Sequence, residues 1–576
     1  MRSKAKPTDR RRATARLLPF AAVALIAFVG GAMVADGGEE EAALARFAEA
    51  WAAGDRDAMY AQLTPESVAQ NPPKDFEDAY RQAERTATIE SIEVGEARGP
   101  IEQGSGEALA VPVEIETRSF GTIEGELAVP VDDGAVAWRP ELVFPGLQPG
   151  ERLDRRLSPP QRGTISARDG TELVSGPVEA RTVNPIAAVI AGEIGSAPAE
   201  RARQMSAQGF PKGTPAGTSG LELAFDGYLA GTPGGRLIAR SESGDEARIL
   251  ARGKPTKAKP LRTTIDPDLQ AAAVTALGET FGGTAVLDAT TGQVMALSGI
   301  AFSAPQPPGS TFKIITTTAA LEEGVASPDT EFPVATGATV EGREIANAHD
   351  ESCGGTLVTS FALSCNSVFA PLGAELGAER LLEEAEEYGF NAPPTLYSRE
   401  SIAATQPPSS TIPDPIGGEL DAAVSAIGQG KVLATPLQMA SVAQTIANEG
   451  VRLPTSIVRS PELAPNAEPV EVTTPEIAAE VSAMMRRVVR SGTGKAAALP
   501  ETSVAGKTGT AELGPKVSGS ADPAADPELE VDAWFTAFAP VKRPALAVAV
   551  MVVNADGDGG VIAAPIAREI LATRFG

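Results

Sequence analysis

The residue types that could do chemistry stand in three short clusters. The first is Ser310-Thr311-Phe312-Lys313, which follows Pro307-Pro308-Gly309 and leads into the helix-compatible residues 314–323. Positions i and i+3 of a helix are neighbours, so a lysine there can take the proton of a serine hydroxyl that is too weak a nucleophile alone. Lys313 must then be largely neutral, a state that burial beside a second cation favours. The turn also puts Ser310 at a helix N-terminus, where free N–H groups favour developing negative charge, as an oxyanion hole does. A lone Ser-x-x-Lys arises by chance in a chain this long, and Ser3-Lys4-Ala5-Lys6 is such a match. Specificity comes from the two clusters downstream: Ser364-Cys365-Asn366, 54 residues on, then Lys507-Thr508-Gly509-Thr510, 143 further.

Ser-x-x-Lys, Ser-x-Asn and Lys-Thr-Gly in this order resemble the three-part signature of penicillin-binding proteins and serine β-lactamases. The resemblance implies a role for each residue. Ser310 is the nucleophile and Lys313 its base. Ser364 relays a proton to the leaving group and bonds Lys313, and Asn366 orients the substrate peptide bond. Lys507 supplies positive potential that keeps Lys313 neutral and attracts the substrate's terminal carboxylate, which Thr508 and Thr510 bind. Gly509 lets the strand backbone come close to the ligand. The oxyanion hole is expected at the N–H groups of Ser310 and Thr510.

Other constellations carry less. Gly492-Thr493-Gly494-Lys495 suggests a phosphate loop, but Val489 stands where the first glycine belongs and Ala496 where Ser or Thr should follow, so it reads as a helix end. The single histidine, His349, lacks a serine elbow and reads as a surface or cleft residue. One histidine and two cysteines leave no all-protein zinc site, so neither metal nor cofactor is expected. Acidic runs at 39–41 and 383–387 read as solvated faces. Residues 1–16 hold seven Lys or Arg against one Asp, a balance of +6 within a total of −26, so the remainder carries −32. Such a body repels phosphate backbones and excludes nucleic acid as a partner.

The elements that must position these clusters divide the chain. After a cytoplasmic basic arm, 1–16, residues 17–34 carry no charge and span about 27 Å as a helix, enough for a transmembrane anchor with everything beyond Asp36 outside, a cleaved signal peptide being the alternative. Residues 41–146 read as a small α+β domain. Leu44, Phe47 and Trp51 share a helical face, Met59 and Leu63 suggest a second turn before Pro65, and two period-2 runs around 111–115 and 127–131 flank a turn near 119–121. With its closing segment 138–146, this pattern resembles the cone-shaped nuclear-transport-factor-like domain ahead of the transpeptidase in some Gram-positive penicillin-binding proteins. Residues 150–255 resemble the pedestal, or dimerisation, domain of class B members, through Arg162-Gly163-Thr164-Ile165, Asp169-Gly170, Gly220-Leu221-Glu222 and Tyr228-Leu229-Ala230-Gly231. Residues 254–260 are a linker by composition.

Residues 260–576 carry all three clusters. Asp266 and Pro267 open a helix, 283–287 and 293–297 form a hairpin, and Thr435-Pro436-Leu437-Gln438 caps a helix that stops at Gly450. Three strands at 503–513, 533–538 and 545–553 precede a terminal helix at 565–573. The expected class is multidomain α+β: an antiparallel sheet flanked by helices beside a helical subdomain, with the site in the cleft between.

The resemblance thus implies a membrane-anchored, extracytoplasmic serine D,D-transpeptidase that cross-links peptidoglycan stem peptides through a Ser310 acyl-enzyme. The resemblance implies acylation by β-lactams and a polytopic membrane glycosyltransferase as partner, since residues 36–150 are too short and strand-rich to be a glycosyltransferase. A β-lactamase or β-lactam sensor on the same scaffold and a silent scaffold of a cell-wall complex are the alternatives. No glutamate between the second and third clusters stands out as a deacylating base. Cys353 and Cys365, 12 apart, form either a disulfide or two buried thiols.

Overall fold

The computed structural model describes residues 38–103, 106–398, 407–515 and 529–576. The basic arm and the apolar stretch 17–34 lie outside them. Among the described residues no single helix is long and apolar enough to cross a membrane. The chain forms two compact units, 38–117 with 122–154 and 238–250, and 155–237 with 251–576 and the short insert 118–121.

In the first unit Glu39–Ala53 is a helix that buries Leu44, Phe47 and Trp51, the face its period implies. Two short helices, Arg56–Tyr60 and Pro65–Gln70, begin at Asp55 and Thr64, whose side chains accept from Ala58 N and Ser67 N. Pro73–Ala87 is a helix that the sequence reading passed over. Its buried residues Phe76, Tyr80, Ala83 and Ala87 recur at helical spacing inside an otherwise charged segment. The sheet is built on Gly106–Thr117, which pairs antiparallel with Ile89–Val94 and with Arg98–Gln103 and also pairs with Gly121–Val129. Val111, Val113 and Ile115 alternate into the core. Trp138 closes that core, with its indole N–H donating to Tyr80 Oη at 3.1 Å.

The second unit opens with short strands, of which Ile165–Ser166 pairs with Glu172–Ser175 and, in parallel, with Leu261–Arg262. A buried ion network holds this region. Arg162 contacts Glu222 at 2.7 Å and Asp226 at 2.9 Å, and Arg181 contacts Glu222 at 2.6 Å. Removing Glu222 would leave the buried Arg181 without its carboxylate, at a cost of about 3–5 kcal/mol. Residues 254–260 are less free than a linker: Thr256 and Thr232 exchange backbone hydrogen bonds at 2.9 and 3.0 Å.

Beyond it lies one five-stranded antiparallel sheet with helices on both faces. In chain order its parts are helix α1 (Pro267–Leu277), strands β1 (Gly282–Asp288) and β2 (Val294–Gly299), helices α2 (Lys313–Glu322), α3 (Leu357–Leu363), α4 (Asn366–Leu376), α5 (Ala378–Glu387), α6 (Glu419–Ala426), α7 (Pro436–Ala447) and α8 (Pro475–Ser491), strands β3 (Ala505–Pro515), β4 (Leu529–Ala539) and β5 (Leu546–Ala555), and helix α9 (Ala563–Phe575). The strand order is β2-β1-β5-β4-β3. Along β5, Ala547, Ala549 and Met551 join one core while Val548 and Val550 join the other, with α1 and α9. A strand buried on both faces must be apolar at every position, which is why 546–552 reads as a continuous run.

α1 starts as its residues dictate: Asp266 accepts from Asp268 N and Leu269 N, and Pro267 takes the first helical position. α7 is capped by Thr435, which accepts from Gln438 N. α7 ends at Ala447 rather than at Gly450, which adopts φ +89° three residues later. The acidic run on α5 needs correction. Glu384 is fully buried, because Leu381, Glu384, Ala385 and Tyr388 share the face turned to the core. Arg380 reaches it at 2.6 Å, and burial together with the nearby Glu322 pushes its carboxyl up to about 9.

Candidate active site

The site is assembled where the turn before α2, the break between α3 and α4, and the start of β3 converge. Gly309–Phe312 forms a single tight turn that runs into α2, and Thr311 Oγ1 donates to Pro308 O at 2.8 Å to lock it. The turn lies directly on β3. A Cβ on Gly309, whose φ is +52°, would fall 2.7 Å from Thr510 O, and one on Gly509 would fall 2.6 Å from Pro308 O. Only glycine at both positions lets the Ser310 turn and the Lys507–Thr510 strand approach so closely.

α3 ends at Leu363 and is capped by Ser364, which adopts a left-handed backbone with φ +65° and ψ 38°. A non-glycine residue held there is strained, and here the strain turns the chain sharply so that α4 begins at Asn366. Ser364 and Asn366 thereby face Lys313. Lys313 Nζ donates to Ser364 O at 2.8 Å and to Asn366 Oδ1 at 2.7 Å, with Ser364 Oγ at 3.5 Å. Lys507 Nζ donates to Ser364 Oγ at 2.9 Å and to Thr508 O at 3.0 Å. The Ser364 hydroxyl thus sits between two lysines. Asn366 spends both ends of its amide, since Nδ2 donates to Ala346 O at 2.9 Å. Cys353 and Cys365 are joined by a disulfide, with Cα atoms 5.8 Å apart, which ties the segment to the strand Cys353–Thr356.

Both lysines are fully buried, with Nζ 5.3 Å from the Phe369 ring centre for Lys313 and 5.6 Å from that of Phe361 for Lys507. Desolvation, then repulsion from Lys507, pushes Lys313 well below the usual lysine range. Burial brings Lys507 down to about 7. Two buried ammonium groups on either side of one hydroxyl cannot both be charged at low cost, and a lysine left neutral has a lone pair for a proton.

These groups border an open cavity of about 400 Å³ that contains Ser310, Ser364, Asn366, Thr508, Gly509 and Thr510. Lys313 and Lys507 lie behind its wall. The sequence reading missed several of its residues. Thr493, in the Gly-Thr-Gly that ends α8, shares a hydrogen bond of 2.6 Å with Thr508 Oγ1. Gln429 Nε2 donates to Thr510 O at 3.4 Å. Asp558, in the glycine-rich loop before α9, accepts from Thr510 Oγ1 at 3.3 Å and meets His349 Nε2 at 2.8 Å. A glycine-flanked polar residue at a helix end was the one available signal for Thr493, and nothing local marks the other two. The described carboxylates around the cavity are Glu351, Glu512 and Asp558, none from between the Ser364 and Lys507 segments.

Comparison with known proteins agrees with this geometry. Residues 282–572 match the penicillin binding protein transpeptidase domain, 177–263 the penicillin-binding protein dimerisation domain, and 39–151 the NTF2-like N-terminal transpeptidase domain. Peptidoglycan D,D-transpeptidase PbpA of Mycolicibacterium smegmatis is 31% identical over 418 residues, 62% of this chain and 79% of that protein. PbpA of Mycobacterium tuberculosis is 34% identical over 301 residues, which cover 48% of this chain and 56%, less than two thirds, of that relative. Among solved structures, the D,D-transpeptidase domain of an Eggerthella lenta peptidoglycan glycosyltransferase superposes with a TM-score of 0.56 at 26% identity, covering 72% of this chain and 98% of that one. Penicillin-binding protein A of M. tuberculosis, solved as a ceftriaxone acyl-enzyme, gives 0.55 at 26% identity, covering 72% and 99%. The chain therefore belongs to the penicillin-binding protein transpeptidase family, as a class B serine D,D-transpeptidase with an NTF2-like domain ahead of its dimerisation and catalytic domains.

Proposed function

We propose that this chain is a membrane-anchored enzyme that cross-links peptidoglycan stem peptides through an acyl-enzyme on Ser310. The observation that carries the reading is the convergence of Ser310, Ser364 and Asn366 on one cavity backed by two buried lysines of depressed basicity. Ser310 Oγ attacks the penultimate D-Ala carbonyl while neutral Lys313 takes its proton. The N–H groups of Ser310 and Thr510 receive the oxyanion. The proton passes through the Ser364 hydroxyl to the leaving amine, the C–N bond breaks, and D-Ala departs. An amine of a second strand then attacks the ester, gives up its proton by the same route, and frees Ser310. Lys507, Thr508 and Thr510 hold the terminal carboxylate, and Asn366 orients the peptide bond once Lys313 yields its amide oxygen.

The solved acyl-enzyme of the M. tuberculosis relative supports β-lactams as acylating ligands here. Residues 17–34 would anchor the chain with residues 41–146, 150–255 and 260–576 outside the membrane, and a polytopic glycosyltransferase would supply the glycan strands. Intact-mass analysis of the purified chain after benzylpenicillin tests the reading. One penicilloyl adduct mapped to Ser310, and none in Ser310→Ala, is the expected result. An unmodified wild-type chain points instead to a silent scaffold. The anchor predicts retention in the membrane fraction through carbonate washing, and a mature soluble form starting near residue 32–37 would reject it.

A further inference from the structure

His349 is the chain's single histidine, and it stands at the mouth of the cleft. Its backbone is left-handed at φ +56°, as is that of Asp350 at +54°. Such a loop persists only when its surroundings hold it. Asn347 does so, with Nδ2 donating to Ala335 O and to Glu351 O at 2.8 Å each and Oδ1 accepting from Ser367 N at 2.8 Å. The loop is therefore built onto α4, the helix that begins with Asn366. From it His349 reaches over to Asp558, on the loop after β5, and Asp558 accepts in turn from Thr510. One chain of contacts, His349–Asp558–Thr510, thus runs between the α4 side of the cleft and β3.

The arrangement creates a conflict that His349 resolves. Thr510 can give its hydroxyl proton to a substrate carboxylate only by turning away from Asp558. That would leave a bare carboxylate beside the incoming one, and two like charges repel. An imidazolium on Asp558 Oδ2 removes the net charge and leaves Thr510 free to turn. We propose that His349 is a positioning residue of the transpeptidase: paired with Asp558 across the cleft mouth, it neutralises that carboxylate so that the Thr508–Thr510 corner accepts an anionic substrate end. The inference rests on the transpeptidase reading. The hydrogen bond to Asp558 and its charge raise the His349 basicity against a smaller desolvation, and the carboxylates of Glu351 and Glu512 act in the same direction. Glu351 lies on its own loop and Glu512 on β3, while Lys495, beyond α8, is the opposing cation at the cavity.

The test is the second-order rate of acylation by benzylpenicillin, a monoanion, for the detergent-solubilised full chain and its His349→Gln, Asp558→Asn and doubly substituted variants from pH 6 to pH 9. Dividing the wild-type rate by that of His349→Gln cancels every other titration. The quotient is expected at about threefold at pH 6, within the range of an exposed ion pair, falling toward one at pH 9 as His349 loses its proton. Adding Asp558→Asn to His349→Gln should restore the lost rate. A quotient near one at pH 6, a loss equal at both pH values, or no rescue overturns the inference. A wild-type chain that is not acylated at all overturns the transpeptidase reading instead, so the two failures are distinguishable.

Discussion

Lys313→Met separates chemistry from packing at the heart of the site. Methionine is unbranched and of similar length, so it fills the space beside Phe369 without a large cavity. It removes the donor that Ser364 O and Asn366 Oδ1 now use. Each acceptor left without a partner costs about 1–3 kcal/mol, set against the relief of no longer desolvating an amine, so the net change in stability is expected to stay within about 2 kcal/mol. The loss of a general base, by contrast, slows proton transfer about a hundredfold to ten-thousandfold, or about 3–5 kcal/mol of barrier. The variant should therefore melt within a few degrees of wild type while acylation by a fluorescent penicillin falls by at least two orders of magnitude. The pH profile sharpens the test. Lys313 is held well below the ordinary lysine range, chiefly by burial and further by Lys507. The reactive form is the neutral one, so wild-type acylation rises with pH through that lowered value, and this limb is missing from Lys313→Met. A variant acylated within tenfold of wild type, or one that keeps the rising limb, would refute the assignment of Lys313 as the base.

The penicilloyl adduct on Ser310 should persist for many minutes or longer, because no described carboxylate from between the Ser364 and Lys507 segments borders the cavity to activate water; rapid catalytic turnover of benzylpenicillin would favour a lactamase. Thiol titration of the unfolded, unreduced protein should find no free thiol, and two free thiols would end the disulfide assignment. Removing the Cys353–Cys365 link should lower stability by about 3 kcal/mol on the chain-entropy scale and slow acylation, since Ser364 and Asn366 flank Cys365. Glu384 keeps its proton in the fold up to about pH 9, whereas an unfolded glutamate loses it near 4.5. The native state therefore binds the extra proton between those values and loses stability as pH rises through the interval. Glu384→Gln should flatten that slope in urea melts at pH 5 and pH 8.5, and an unchanged slope would show that Glu384 is ionised in the fold.

What was legible in the sequence was local. Asp266 and Pro267 start α1 because a cap and its N–H partners lie within three residues. Turn residues 288–292 mark the β1–β2 hairpin, and the buried strands β4 and β5 show as apolar runs. The helix Pro73–Ala87 carried an equally local signal, Phe76, Tyr80, Ala83 and Ala87 on one face, obscured by its many charges. Glu384 is a harder case. In an acidic run longer than one helical turn, some position must meet the buried face, and the Leu381–Ala385–Tyr388 stripe indicates which. What allows a carboxyl there is Arg380, one turn earlier on the same helix, and only the fold brings Glu322, at the end of α2, to that pair. The site divides in the same way. Residue types and order identified the three clusters, but the acceptors that hold Lys313, the strain at Ser364 and the Thr493, Gln429 and Asp558 contacts depend on segments far apart in sequence.

The two lysines explain why the three clusters must meet. Neither could be buried alone at small cost. Ser364 O, Asn366 Oδ1, Thr508 O and two aromatic faces receive their N–H groups and charge, and these acceptors come from the second and third clusters. On the proposed roles, the shared pocket also couples binding to activation. A carboxylate docked at Thr508 and Thr510 favours the proton on Lys507, whose basicity near 7 leaves it only partly charged in the empty site. A proton on Lys507 disfavours one on Lys313, which is then free to accept from Ser310. Linkage is reciprocal, so a site whose base is neutral holds the anionic end more tightly than one whose proton rests on Lys313. Ligands lacking the carboxylate should then lose acylation rate as well as affinity, because they fail to set the protonation state on which the nucleophile depends.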